Sequence, residues 1–241
     1  MPAEFFSCGD TALVVQFGEQ VDAEMNTRVM RLDSIVRSRE IPGVVETVPT
    51  FRSLMIHYDP LRITRAALLD AVEPLLSEEG SFDATCAAWN LPVCFDPEYA
   101  PDLEDVARRT GLTPERVIEL HSTTTFRVYM IGFLPGHPYM GDLPKELELP
   151  RREEPRTRVP AGSVAIATTM TVVYPNESPG GWHLIGRTPV PMFSLRRERP
   201  VLFAPGDRVV CRSVAPEEYK DIRKRVEARI YSLEPAGEVT I

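Results

Sequence analysis

Several signatures of common functions are missing from this chain. Its four cysteines, Cys8, Cys86, Cys94 and Cys211, lie far apart and form no C-x-x-C pair. They read as reduced thiols of a cytoplasmic protein rather than as a disulfide frame or a zinc knuckle. Positive charge is in deficit, with 27 Lys plus Arg against 35 Asp plus Glu and a net charge of −8. Affinity for bare phosphate backbone is built from clustered cations, so nucleic acid is not an expected partner. No run of 18 apolar residues occurs, and Met1 to Asp10 lacks a basic segment followed by an apolar core, so neither membrane spanning nor secretion is expected. There is no G-x-x-x-x-G-K-[ST] phosphate loop, no G-x-G-x-x-G, no H-E-x-x-H and no G-x-S-x-G elbow, which excludes a stand-alone P-loop hydrolase. His57, His121, His137 and His183 are scattered singly, and no metal is inferred.

What remains is an ordinary globular composition, 43% apolar over 241 residues, enough chain for one large domain or two small ones. A strand pattern over Thr11–Phe17 precedes a helix capped by Asp22, with Met25, Val29, Leu32 and Val36 on one face. Strands at Val44–Val48 and Leu54–Tyr58, a helix capped by Thr64 and a strand at Leu91–Phe95 complete a βαββαβ order, the ferredoxin-like pattern. We expect a first domain over 1–88 and a second over 89–241. The second opens with two short helices, Leu103–Arg109 and Pro114–His121, joined by Gly111 and capped by Thr113. They resemble a helix-turn-helix, but Glu115, Arg116 and Glu119 make a poor surface for a phosphate-lined groove. Short β runs follow at Phe126–Ile131, Val164–Ala167, Thr171–Tyr174, Leu184–Thr188, Val201–Ala204 and Val209–Val214, spaced for a closed or sandwiched β structure. An amphipathic helix over Pro216–Ile230 carries Tyr219, Ile222, Val226 and Ile230 on one stripe.

Three segments could carry chemistry. Gly132-Phe-Leu-Pro-Gly-His-Pro-Tyr-Met-Gly141 is a rigid apolar loop, either a tight corner burying Phe133 and Tyr139 or a ligand wall. In Pro155-Arg-Thr-Arg158-Val-Pro-Ala-Gly-Ser-Val, Arg156 and Arg158 project to one side of an extended chain. Their guanidinium forks suit a carboxylate or phosphate, or else a solvated edge with ion pairs. In Tyr174-Pro-Asn-Glu-Ser-Pro-Gly-Gly-Trp-His183, Glu177 could act as a general base and the Gly180 and Gly181 amides could bind an oxyanion; an ordinary turn with a packed Trp uses the same letters.

Together, G-F-L-P-G-x-P-Y-x-G, P-R-x-x-x-P-R-T-R-V-P-A-G-S-V and Y-P-x-x-S-P-G-G-W-x-L-I-G-R-T-P resemble the family of KipI, also called the first subunit of allophanate hydrolase and the B-type subunit of bacterial ATP-dependent 5-oxoprolinase. Gly9-Asp-Thr-Ala-Leu13, Val48-Pro-Thr-Phe-Arg-Ser-Leu54 and His57-Tyr-Asp-Pro60 extend the resemblance along the chain. Related segments occur in the carboxyltransferase part (subdomains C and D) of urea carboxylase. The resemblance implies an α+β protein with an N-terminal ferredoxin-like domain and a C-terminal cyclophilin-like β-barrel. The Ser-Ser-Lys signature of true allophanate hydrolase is missing, so that label does not describe an activity of this chain. The implied function is as one component of a complex that uses ATP to open 5-oxo-L-proline to L-glutamate or acts on a related lactam or urea-like amide. The implied partners are a homologous C-type subunit (KipA) and an A-type subunit of the LamB/YcsF kind, and ATP belongs to the complex. The alternative is a non-catalytic inhibitor of a sensor histidine kinase. The expected site comprises Glu177 and Ser178 as catalytic residues, with Arg156, Arg158, Tyr139, Gly180, Gly181, Trp182 and His183 binding substrate.

Two departures from the family stand out. Its usual Gly-Gly-Gln-Thr is here Thr168-Thr-Met-Thr171, and His137 stands where an aromatic residue is more common. Branched and thioether side chains in place of glycines and a carboxamide predict a smaller, less polar pocket, either a shifted substrate or a non-catalytic role, and poor turnover of 5-oxoproline by the reconstituted complex.

Overall fold

The computed structural model describes residues 3–78 and 85–240, and the chain divides into two compact units at residues 84 and 85. The first unit is a four-stranded antiparallel sheet, ordered β1-β2-β4-β3, from β1 (Glu4–Cys8), β2 (Ala12–Gln16), β3 (Val44–Pro49) and β4 (Ser53–Tyr58). Helix α1 (Ala23–Ser38) starts where Asp22 accepts the Met25 N–H at 2.8 Å, and α2 (Arg65–Val72) where Thr64 accepts that of Ala67 at 3.2 Å. These caps satisfy amides the helices cannot. Val29, Leu32 and Val36 of α1 and Leu68 and Val72 of α2 pack with Leu13, Val15, Leu54 and Ile56 of the sheet.

The βαββαβ expectation is corrected in one element. The strand expected at Leu91–Phe95 spans Thr85–Val93 (β5) and pairs in the other unit. The fourth strand of the first sheet is instead β1, a hairpin partner of β2 whose mostly exposed face gave no burial pattern to read.

The second unit also contains α3 (Leu103–Thr110), α4 (Pro114–Thr123), β6 (Thr125–Ile131), β7 (Pro138–Gly141), β8 (Arg156–Val159), β9 (Ser163–Ala167), β10 (Met170–Val173), β11 (Ser178–Gly180), β12 (His183–Arg187), β13 (Arg208–Ser213), α5 (Pro216–Glu227) and β14 (Gly237–Thr240). Its large sheet runs β12-β9-β10-β7-β6-β13-β5-β14, with β13 and β5 parallel, and a small ribbon pairs β8 with β11. The expected closed barrel is not formed as a continuous ladder. Among the described residues, the curled sheet is joined across its opening only by a bridge between Cys94 and Arg187, at 2.8 and 2.9 Å. The run at Val201–Ala204 contributes only a Phe193–Val201 bridge.

The helix pair is core material: α3 and α4 bury Leu103, Val106, Ala107 and Val117 beneath the sheet, while Arg116 pairs with Glu119 at 2.8 Å. Helix α5 ends three residues before the expected Ile230, which is 70% exposed because Arg229 turns into left-handed backbone (φ 66°). All four cysteines are free, Cys8 exposed and the other three buried.

Candidate functional site

The loop between β6 and β7 is drawn tight by its own backbone. Gly132 donates to the His137 carbonyl at 3.1 Å, and His137 donates to that of Leu134 at 3.0 Å. Gly136 adopts φ 79° where a Cβ would stand 2.9 Å from that of Phe193, so glycine is required there. Phe133 takes the same left-handed region (φ 69°) without being glycine and is 64% exposed. Strain of this kind persists where surrounding structure imposes it.

This loop presents Phe133, His137 and Tyr139 to a cavity of about 350 Å³, whose other walls include Tyr174, Gly180, Gly181 and Trp182. The rings interlock: His137 lies 4.9 Å from Tyr139 and 5.1 Å from Tyr174, and Tyr139 lies 6.1 Å from Trp182. Arg151 and Arg152 complete the lining, with the Arg151 guanidinium 5.5 Å from the centre of the Trp182 ring, within cation–π range. Burial pushes the His137 imidazole down to about 4 and the Tyr174 phenol up to about 12, so both are neutral near pH 7. His137 Nδ1 is buried without a hydrogen-bond partner, leaving a polar atom unsatisfied in an otherwise aromatic wall.

Beneath the cavity lies a buried carboxylate that the sequence does not announce. Asp102, 4% exposed, precedes α3 but does not cap it with its side chain. Its Oδ2 accepts the Leu184 N–H at 2.7 Å, and its Oδ1 takes Arg156 Nη2 at 2.5 Å and Arg152 Nη1 at 3.4 Å. The Arg152 amide also donates to the Gly181 carbonyl at 2.8 Å. The carboxylate therefore ties β8, β12 and the turn after β11 together.

Of the residues expected at the site, Tyr139, Gly180, Gly181 and Trp182 line the cavity; the other five do not. Arg156 is held by Asp102. Arg158 forms a two-pronged pair with Glu177, at 3.0 and 2.9 Å, on the exposed side of the β8–β11 ribbon. That pairing holds Glu177 below the usual carboxylate range and Arg158 above its ordinary value. Ser178 Oγ is covered and has no hydrogen-bond partner, and the buried His183 has its Nε2 2.9 Å from the Pro150 carbonyl. Arg151 and Arg152 escape the sequence reading although they stand in the P-R-x-x-x-P-R stretch; the i, i+2 spacing of Arg156 and Arg158 points to the wrong pair for this cavity.

The Thr168-Thr169 departure is placed elsewhere than expected. These residues form the turn between β9 and β10, flanked by the Ala167–Met170 pair, and neither they nor Met170 line the cavity. They therefore do not shrink it. His137, the second departure, does line it.

Residues 3–203 match the sequence model described as carboxyltransferase domain, subdomain C and D. A Bacillus subtilis (strain 168) protein, named as the B-type subunit of 5-oxoprolinase, is 35% identical over 222 residues, covering 88% of this chain and 92% of that protein. An Escherichia coli O157:H7 protein of the same name is 39% identical over 210 residues, covering 86% and 94%. Among solved structures, the K. lactis urea amidolyase superposes with a TM-score of 0.79 at 21% identity, covering 99% of this chain and 16% of that one. The last likeness speaks to fold alone.

Proposed function

The chain belongs to the carboxyltransferase subdomain C and D family, and on that premise we propose that it is the B-type subunit of a complex that opens 5-oxo-L-proline to L-glutamate with ATP. Its partners in this reading are a homologous C-type subunit and an A-type subunit of the LamB/YcsF kind, in a cytoplasmic setting, and the chain alone is inactive. The names and near-full coverage of the bacterial relatives support it. Among the described residues no helix is long and apolar enough to cross a membrane.

The observation that carries the reading is the ring-walled cavity of about 350 Å³ with a guanidinium over one ring. A small lactam carboxylate has two needs: a flat apolar surface for its ring and a cation for its charge. Tyr139 and Trp182 supply the first and Arg151 the second. His137 adds a neutral imidazole, which can donate from one nitrogen and accept at the other, as a lactam N–H and C=O require. The Arg158–Glu177 pair, outside this cavity, is assigned to substrate or partner contact in the assembled complex, where Glu177 and Ser178 would do their chemistry. ATP enters at the level of the complex.

The same reading treats the first unit as a ferredoxin-like sheet whose fourth strand is β1, and the second as a cyclophilin-like barrel whose opening, among the described residues, is bridged at Cys94 and Arg187. The test is reconstitution. The purified chain should show no 5-oxoproline-dependent ATP hydrolysis, and adding its C-type and A-type partners should produce it. Robust activity of the single chain, or none from the three-component mixture, overturns the proposal.

A further inference from the structure

The first unit concentrates the chain's negative charge and leaves one side of its sheet outside both hydrophobic cores. Residues 1–84 carry 14 Asp plus Glu against 7 Arg and no Lys, a net charge of −7 out of the chain's −8. Side chains alternate between the two faces of a strand. Leu13, Val15, Leu54 and Ile56 pack on the helices, so Phe6, Val14, Met55 and Val48 lie on the other face. The register sets Phe6 opposite Val14, Val14 opposite Met55 and Met55 opposite Val48, one apolar row across all four strands. Among the described residues none of the four belongs to either core; Phe6 is 46% exposed and the other three are half-buried.

The rows on either side are polar or small: Glu4, Gln16 and Ser53 on one, Cys8, Ala12, His57 and Glu46 on the other. The apolar strip is therefore one residue wide and, at the usual strand spacing, about 14 Å long. Glu4 and Glu46 stand at diagonally opposite corners of the face, both exposed, and among the described residues neither is ion-paired. Glu4 shares a cavity of about 430 Å³ with Glu19 and Asp22, and no cation lines it. The arginines near that corner are engaged, Arg28 over the Phe17 ring at 4.8 Å and Arg52 on the Glu19 carbonyl. At the other corner Glu46 borders a cleft that also holds Glu40, Arg37 and Arg62; Arg37 is taken by Asp33 and Thr47 at 3.0 and 2.9 Å. Both corners thus offer carboxylates to an incoming cation, in a unit that is acidic throughout.

We propose that this face receives an amphipathic helix of a partner protein, its single apolar stripe laid along the Phe6–Val14–Met55–Val48 row and basic side chains on both flanks of that stripe meeting Glu4 and Glu46. A strip one residue wide and about 14 Å long matches one face of a helix over roughly nine residues, whereas a second sheet packs over a broad apolar surface. A second copy of this chain would bring the same two carboxylates and no cation from its own face. Opposed charges at diagonal corners fix the orientation of the helix and its choice of partner. The proposal goes beyond the function proposed above and stands without it.

Fluorescence anisotropy with the purified chain tests it, using as probes two labelled helical peptides that share one leucine stripe, the first flanked by lysines and the second by glutamates. One saturable site is expected for the lysine peptide, with the glutamate peptide at least tenfold weaker. Phe6→Ser, at the exposed edge, and Met55→Lys, in the centre, should each weaken the lysine peptide tenfold or more. Glu4→Lys combined with Glu46→Lys should do the same. Glu115→Lys combined with Glu119→Lys, which changes the net charge equally on α4 of the other unit, should leave binding within twofold. Absence of binding, equal binding of the two peptides, binding untouched by Phe6→Ser and the Glu4/Glu46 pair, or equal weakening by the α4 pair overturns the proposal. Self-association of the chain that Phe6→Ser abolishes would also overturn it, by assigning the face to a second copy.

Discussion

Gly180 lies flat against the phenol of Tyr174, so close that a Cβ at position 180 would collide with the Tyr174 hydroxyl. Tyr174 is 2% exposed and cannot swing clear without moving its neighbours. Gly180→Ala should therefore displace the ring that forms one wall of the cavity. The expected cost is about 1–3 kcal/mol by chemical denaturation, as for other overpacked interiors, together with a loss of 5-oxoproline turnover in the reconstituted complex. Unchanged stability and turnover would show that the close approach has no role.

The Asp102 and Arg158 ion pairs should behave oppositely. Asp102→Ala leaves Arg156 and Arg152 without their counter-charge and the Leu184 N–H without its acceptor. A loss of about 3–5 kcal/mol is expected, as for other buried pairs broken from one side. Arg158 and Glu177 are 76% and 52% exposed, and water replaces either partner readily. Arg158→Ala should leave the melting temperature unchanged while lowering turnover of the complex tenfold or more. A drop in melting temperature with full turnover would make Arg158 structural.

These pairs show what was legible in the sequence. Asp22, Thr64 and Thr113 were readable as caps because each satisfies an amide three residues on. The Gly-Pro-aromatic loop of residues 132–141 and the Tyr174–Trp182 turn stood out for the same local reason, and both reach the cavity. Asp102 gave no such signal, since its partners lie 50 to 82 residues away. The strand at Thr85–Val93 was recognisable as a strand, but its parallel partner β13 lies more than a hundred residues on, and local periodicity carries no information about pairing at that distance.

At the β9–β10 turn, Thr168 holds φ 53°, a conformation costly for a β-branched residue. Thr168→Gly removes that strain but adds chain entropy to the unfolded state, for a net gain of about 0.5–1 kcal/mol. The melting temperature should rise by about 1–4 °C, with no change in turnover, because the turn does not line the cavity. Faster turnover of 5-oxoproline without a stability gain would restore a role for this segment in substrate recognition.

Acid should reveal His137. Its folded value of about 4 lies below the ordinary 6.5, so the unfolded chain takes up a proton first as pH falls. The stabilisation is intact above about pH 6.5 and is lost progressively down to about pH 4. His121, pushed by burial to about 3, acts in the same direction. His137→Phe removes the first contribution, so its stability should fall by about 2–3 kcal/mol less than that of the natural chain between pH 7 and pH 4.5. Parallel denaturation curves across this range would mean that His137 is not held neutral by the fold.

In the proposed function the ring-walled cavity receives the substrate carboxylate through Arg151. Steady-state kinetics of the reconstituted complex with 5-oxo-L-proline test it most directly, comparing the natural chain with Arg151→Ala. The expected result is a kcat/KM lowered by one to two orders of magnitude, the loss of a charge-assisted hydrogen bond worth roughly 1.5–3 kcal/mol, with the melting temperature unchanged. Kinetics indistinguishable from those of the natural chain would contradict the assignment.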